Sequence, residues 1–132
     1  MSRYVYPAVF TKEENGLYSV NFPDFTACFT QGDGVADAME MARDVLEITL
    51  CDMEDEKKAI PTPSDPATIK TDGNSFATLI CGNTLEYRKK YGSKAVKKTL
   101  TIPEWLNTAA ERKHVNFSAV LQQALIEQLN IG

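Results

Sequence analysis

A single strand pattern followed by two amphipathic helices closes this chain, and nothing near the strand offers it a partner. From Lys94 to Ile102 the even positions carry Val96, Leu100 and Ile102, with Lys98 interrupting, and the odd positions carry Lys97, Thr99 and Thr101. A period of two puts these sets on opposite faces. Pro103 and Glu104 suit the first turn of a helix, because proline lacks only a donor that has no partner there. Thr101 and Glu104 have the spacing of a capping box. This helix runs to about Lys113, with Leu106, Ala109 and Ala110 inward. His114, Val115 and Asn116 make a turn. Asn116 is placed to cap a second helix, which turns Phe117, Val120, Leu121, Ala124 and Leu125 inward, with Gln128 or Leu129 closing the stripe. One strand and two short helices bury too little surface to fold alone. A two-fold dimer solves this by pairing the strands antiparallel, with Val96, Leu100 and Ile102 at its core. The alternative is a helical hairpin whose strand extends the sheet of the rest of the chain.

Such a dimer presents a two-stranded ribbon with Lys97, Thr99 and Thr101 from each chain, and a ribbon of this kind fits the DNA major groove. The stretches Lys97-Lys98-Thr99-Leu100-Thr101-Ile102-Pro103 and Asn116-Phe117-Ser118-Ala119-Val120-Leu121 resemble the ribbon-helix-helix DNA-binding module. The resemblance implies that Lys97, Thr99 and Thr101 read base edges. It also implies that the amides opening the second helix, at Asn116, Phe117 and Ser118, hold a phosphate. Arg88, Lys89 and Lys90 form a basic neck at 88–93, and Lys89 and Lys90 are placed to meet DNA phosphates.

The 132 residues allow one ordinary domain or two small ones. The net charge of −4 conceals a division. Residues 1–87 hold 6 Lys and Arg against 15 Asp and Glu, a net −9, whereas residues 88–132 hold 8 against 3, a net +5. A basic module on an acidic lobe suits nucleic acid at one end and a basic partner at the other. No apolar run is long enough to span a bilayer and the N-terminus does not read as a signal peptide, so the expected location is the cytoplasm, with no membrane contact. Cys28, Cys51 and Cys81 lack metal-ligand spacing. They read as reduced thiols, buried or half-buried, and no metal or other cofactor is expected.

The acidic lobe reads as strands at Arg3–Thr11, Leu17–Phe22 and about Ala27–Gln31, then a helix from about Val35 to Lys57. In the first strand Tyr4, Tyr6, Ala8 and Phe10 share a face, and Pro7 marks an edge or bulge. Asn15-Gly16 signals the hairpin. The helix stripe is Val35, Ala38, Met39, Ala42, Val45, Leu46, Thr49 and Met53, with Asp37, Glu40, Asp44 and Glu47 opposite and a fraying end at Asp52–Glu56. A proline-rich crossing loop spans Ile60–Asn74. A fourth strand at Ser75–Cys81 and a short helix capped by Thr84 and ended by Gly92 complete the lobe.

This order, with Phe22-Pro23-Asp24-Phe25, then Thr30-Gln31-Gly32-Asp33 and an Ala- and Glu-rich helix, resembles the HicB antitoxins. Gly34 stands where their pattern usually has Thr or Ser. The resemblance implies an α+β chain: a truncated ribonuclease H-like lobe (three-stranded meander, helix, strand) at 1–87, plus a ribbon-helix-helix module at 94–132. It implies a non-enzymatic antitoxin. The lobe neutralises a small basic HicA-like toxin that cleaves mRNA, and the module forms a homodimer or tetramer and represses its own operon at operator DNA. The charge division places the toxin surface on the acidic lobe, and Asp24, Phe25 and Phe29 beside the Pro23 turn are the candidate contacts. The competing expectation for Phe29 is core packing. Asp24, Asp33 and Asp37 are the candidate metal-binding carboxylates near strand ends, but Asp24 sits in the Pro23 turn and Asp33 in the turn that opens the helix, the usual structural place for Asp, and none lies within an expected central strand. The lone His114 makes no triad. The alternative function is a ligand-responsive repressor with no toxin partner.

Overall fold

The computed structural model describes residues 2–131 and divides the chain into two compact units, Met1–Lys94 and Ala95–Gly132. The first unit is a four-stranded antiparallel sheet with one long helix across a single face. Its elements are β1 (Arg3–Lys12), β2 (Leu17–Asn21), β3 (Phe29–Asp33), α1 (Val35–Asp55), β4 (Ser75–Asn83) and α2 (Thr84–Tyr91), and the sheet order is β3-β2-β1-β4. The second unit holds α3 (Glu104–Arg112) and α4 (Phe117–Leu129).

Alternation in β1 decides which face meets α1. Tyr6, Ala8 and Phe10 are buried beneath it together with Val20, Phe22, Cys28 and Ile80. Full burial of a side chain such as Phe10, Phe22, Leu46 or Leu50 contributes roughly 1.5–3 kcal/mol. Pro7 lies where β1 pairs only with β4, since β2 joins β1 from Val9 to Lys12 and β4 joins it from Arg3 to Thr11. Its missing N–H therefore faces the side with no ladder. The Asn15-Gly16 signal closes a hairpin in a longer form than a two-residue turn. The Gly16 amide donates to the Glu13 carbonyl at 3.3 Å and the Glu13 amide to the Leu17 carbonyl at 2.8 Å.

Two glycines set the approach of α1. Gly32 lies inside β3, paired with Tyr18, and a Cβ there would stand 2.4 Å from the Ala38 backbone. Gly34 precedes α1 at φ 90°, a conformation that side chains resist. This explains why a serine or threonine cap is absent. The Asp37 carboxylate accepts the Asp33 amide at 2.8 Å instead.

The buried stripe of α1 is Ala38, Ala42, Leu46, Glu47, Leu50 and Cys51, while Val35 and Met39 are exposed. Glu47, expected on the outer side, is buried because its carboxylate accepts the Asn83 amide at 2.7 Å. The helix, expected to run to about Lys57, ends at Asp55 with Glu56 as its cap. Glu54 accepts from the Tyr4 hydroxyl at 2.7 Å, the Thr84 hydroxyl at 3.0 Å and the Arg88 guanidinium at 3.1 Å. Arg88 also pairs with Asp55 at 3.0 Å, so this residue of the expected basic neck is spent inside the unit. Asn83, rather than Thr84, caps α2 by accepting the Glu86 amide at 3.1 Å.

This cluster makes stability depend on pH at both ends. Burial favours a neutral Glu54, but hydrogen bonds from Tyr4, Arg88 and Thr84 outweigh it and hold the carboxyl below its ordinary value. Its contribution is present above the unfolded pKa and is lost as pH falls through the lower folded value. Burial, then the bond to Glu54, pushes the Tyr4 phenol from 10.0 up to about 12. That contribution is present below the unfolded value and is lost as pH rises through the folded one. Tyr4→Phe is expected to cost about 1 kcal/mol near neutrality and to remove this alkaline step, read by urea unfolding across pH. An unchanged alkaline limb in the variant would assign that loss to another group.

Candidate protein and nucleic-acid interfaces

The face of the sheet opposite α1 carries exposed apolar side chains. Val5, Leu79 and Phe29 are exposed there, and Val9, Thr11, Ser19, Asn21, Phe29 and Gln31 line a shallow depression. None of these side chains is charged. Phe29 is 66% exposed, against the expectation of core packing. The strand begins two residues later than expected, and Gly32 takes the buried position against α1, so Phe29, Gln31 and Asp33 share the outer face. Phe29 sits opposite Asn21, which sits opposite Val9.

The other two candidate toxin contacts are engaged within the unit. The Asp24 carboxylate accepts from the Ser64 amide at 3.0 Å and from the Ser64 hydroxyl. Phe25 is half-buried, edge-on to Tyr6 with ring centres 4.8 Å apart. Together these contacts tie the turn after β2 to the Ile60–Asn74 loop, and the Tyr6 hydroxyl adds a bond to the Pro61 carbonyl. Cys28 and Cys51 are buried, whereas Cys81, expected at least half-buried, is exposed on the outer face.

In the second unit the segment before α3 carries no ladder within the chain, and none of its apolar side chains is buried. Val96 is 89% exposed, and Leu100, Ile102, Phe117, Val120 and Leu125 are exposed with it. Among the described residues the strand expected at Lys94–Ile102 is not formed, and the four-stranded sheet consists of β1 to β4. Lys97, Thr99 and Thr101 are exposed. Pro103 caps α3 through its carbonyl, and the Thr101–Glu104 capping box does not form. Asn116 caps α4, its side chain accepting the Ala119 amide at 3.0 Å, and Ser118 accepts from Gln122 at 2.9 Å. Lys89 pairs with Glu86 at 3.4 Å on the surface, and Lys90 lies over the Tyr91 ring at 5.3 Å. Trp105, outside the expected apolar stripe and so missed by periodicity, is 71% exposed in the first turn of α3.

The sequence profile of the HicB-like antitoxins of bacterial toxin–antitoxin systems matches residues 5–71. The chain belongs to that family. The matched stretch falls wholly within the first unit. Antitoxin HicB of Escherichia coli K12 is 39% identical over 59 residues, 45% of this chain and 43% of that protein, so the match spans under half of the relative. Antitoxin HicB 2 of Photorhabdus laumondii is 26% identical over 111 residues, 83% of this chain and 79% of that one. A chain of a toxin–antitoxin complex from Streptococcus pneumoniae superposes with a TM-score of 0.63 at 28% identity, covering 96% of this chain and 99% of its own. The HicB antitoxin of Burkholderia pseudomallei shares the fold at 17% identity, with a TM-score of 0.54, 96% of this chain and 98% of its own. Among the described residues of this HicB-like chain, no helix is long and apolar enough to cross a membrane.

Proposed function

We propose that this HicB-like chain neutralises a small basic HicA-type ribonuclease toxin and represses its own operon. The family match on the acidic unit carries the first half, because that unit also exposes an unpaired aromatic side chain. A ribonuclease must present positive charge to RNA, and an acidic lobe speeds encounter with such a surface. Phe29 supplies the anchor, since large exposed aromatics dominate interface cores. Asp24 and Phe25 shape the loop beside it. The unit acts by binding rather than catalysis, as a truncated ribonuclease H-like lobe whose Asp24 and Asp37 are engaged by Ser64 and the Asp33 amide.

The second unit supports the other half. Its exposed apolar segment completes a ribbon when two copies pair, with Val96, Leu100 and Ile102 inside and Lys97, Thr99 and Thr101 toward DNA. Asn116, Phe117 and Ser118 then bring the start of α4 to a phosphate, and Lys89 and Lys90 add backbone contacts from the end of α2. Two reciprocal variants test the assignment. Phe29→Ala should weaken toxin binding by about 2 kcal/mol or more and leave operator binding unchanged. Lys97→Ala should weaken operator binding by about 1–3 kcal/mol and leave the toxin complex unchanged. Calorimetry with toxin and gel shifts with operator read both. Variants that weaken both partners equally, or neither, would refute the division.

A further inference from the structure

We infer that Ser64 is a positioning residue for toxin binding: it holds the turn beside Phe29 in its binding shape without itself touching the partner. This role rests on the toxin surface proposed above, and extends it to a residue 40 positions along the chain from Asp24. The turn joins β2 to β3, and its own bonds close only its base. The Phe22 amide donates to the Cys28 carbonyl at 3.0 Å and the Phe25 amide to the Phe22 carbonyl at 3.1 Å. Pro23 has no amide to give. Among the described residues no backbone hydrogen bond holds Asp24, Thr26 or Ala27. Phe29 follows at once as the first residue of β3. A turn fixed only at its base must be ordered when a partner closes on it, at a cost in affinity.

The Ile60–Asn74 loop removes that freedom. Pro61, Pro63 and Pro66 restrict its backbone, and it is anchored on both sides of Ser64. The Pro61 carbonyl accepts the Tyr6 hydroxyl. The Asp65 side chain accepts the Ala67 amide at 2.9 Å and caps the short turn Pro66–Thr68, which packs near β4. Between these anchors Ser64 gives both its donors to one carboxylate. Its amide reaches Asp24 Oδ2 at 3.0 Å and its hydroxyl reaches Oδ1. Hydrogen bonds to an ionised acceptor are the stronger kind. Phe25 completes the hold, edge-on to the Tyr6 ring. Burial raises the Tyr6 phenol above its ordinary value and the Asp24 charge adds to it, which marks how near the carboxylate and the phenol lie. Ser64 is exposed and Asp24 half-buried. Loss of the Ser64 hydroxyl therefore opens no cavity in the core, and its effect falls on the turn.

The test uses the full chain with Ser64→Ala, Ser64→Thr and Thr68→Ala. Thr68 is the control, because its hydroxyl bonds the Asp65 carbonyl at 2.7 Å in the same loop and does not reach the turn. Amide hydrogen exchange on the free chain should be faster at Phe22 and Phe25 in Ser64→Ala, and as slow as wild type in the other two. A HicA-type toxin should dissociate from Ser64→Ala about tenfold faster than from wild type. Its association rate should not change, because no charge is altered. Ser64→Thr should restore the wild-type dissociation rate. Unchanged exchange in Ser64→Ala would overturn the inference, whatever the toxin does. Faster exchange with unchanged toxin dissociation would overturn it too, as would a Thr68→Ala chain that loses toxin as fast as Ser64→Ala. Failure of the toxin surface itself looks different: a wild-type chain with no affinity for the toxin refutes that surface and the binding role of Ser64 with it, even where exchange confirms the hold on the turn.

Discussion

Gly32→Ala should leave the first unit unable to hold α1 on its sheet. The added Cβ would lie 2.4 Å from both the Ala38 N and Cα and 2.8 Å from the Asp37 carbonyl carbon. All three are backbone atoms in the first turns of a helix, so no side chain can swing aside. Either β3 separates from β2, or α1 lifts from Phe22, Cys28 and Val20. Overpacking of a tight core commonly costs about 1–3 kcal/mol, and more when rigid backbone must move, so the expected loss is about 3 kcal/mol or above. That is a large part of the roughly 5–15 kcal/mol that holds a domain folded. Gly73→Ala is the control, since nothing lies within 4 Å of a Cβ there. Denaturant midpoints for the two variants decide the matter. A Gly32→Ala protein as stable as wild type would mean that α1 does not press on β3.

Leu100→Asp should abolish operator binding. Leu100 is 56% exposed in the single chain, so the substitution costs the isolated unit little. In the proposed ribbon the carboxylate would be buried without a partner, a loss of several kcal/mol. Without the ribbon, the Lys97, Thr99 and Thr101 side chains of the two copies no longer share a groove. Sedimentation should show the assembly halved. A Leu100→Asp protein that keeps its assembly and its operator affinity would place dimerisation elsewhere.

Much of this arrangement is written in local patterns. The alternation of Tyr6, Ala8 and Phe10 identified the buried face of β1, and Asn116 marked the start of α4 through its side-chain cap. Proline and glycine bounded the loops. What escaped was tertiary in origin. Gly32 reads as the end of a strand because a glycine shows no trace of the helix that needs its empty side. Glu47 falls on the charged side of an ideal helix, yet the Asn83 amide draws it in, and the stripe turns toward Leu50 and Cys51. Phe29 looks like core to any hydrophobicity count. Only the register of β3, with Gly32 inward, puts it on the outer face. Arg88 reads as a free neck cation until Glu54 and Asp55 are seen beside it.

The division of labour between the two units is tested most directly by growth rescue. The first compact unit extends to Lys94 and includes α2, held to α1 through Arg88 and Glu54. Residues 1–94 are therefore the piece to co-express with a HicA-type ribonuclease toxin, the proposed partner. Rescue of growth equal to that of the full chain, with operator repression lost, is the predicted result. Rescue that requires residues 95–132 would place toxin neutralisation on the C-terminal unit and contradict the account.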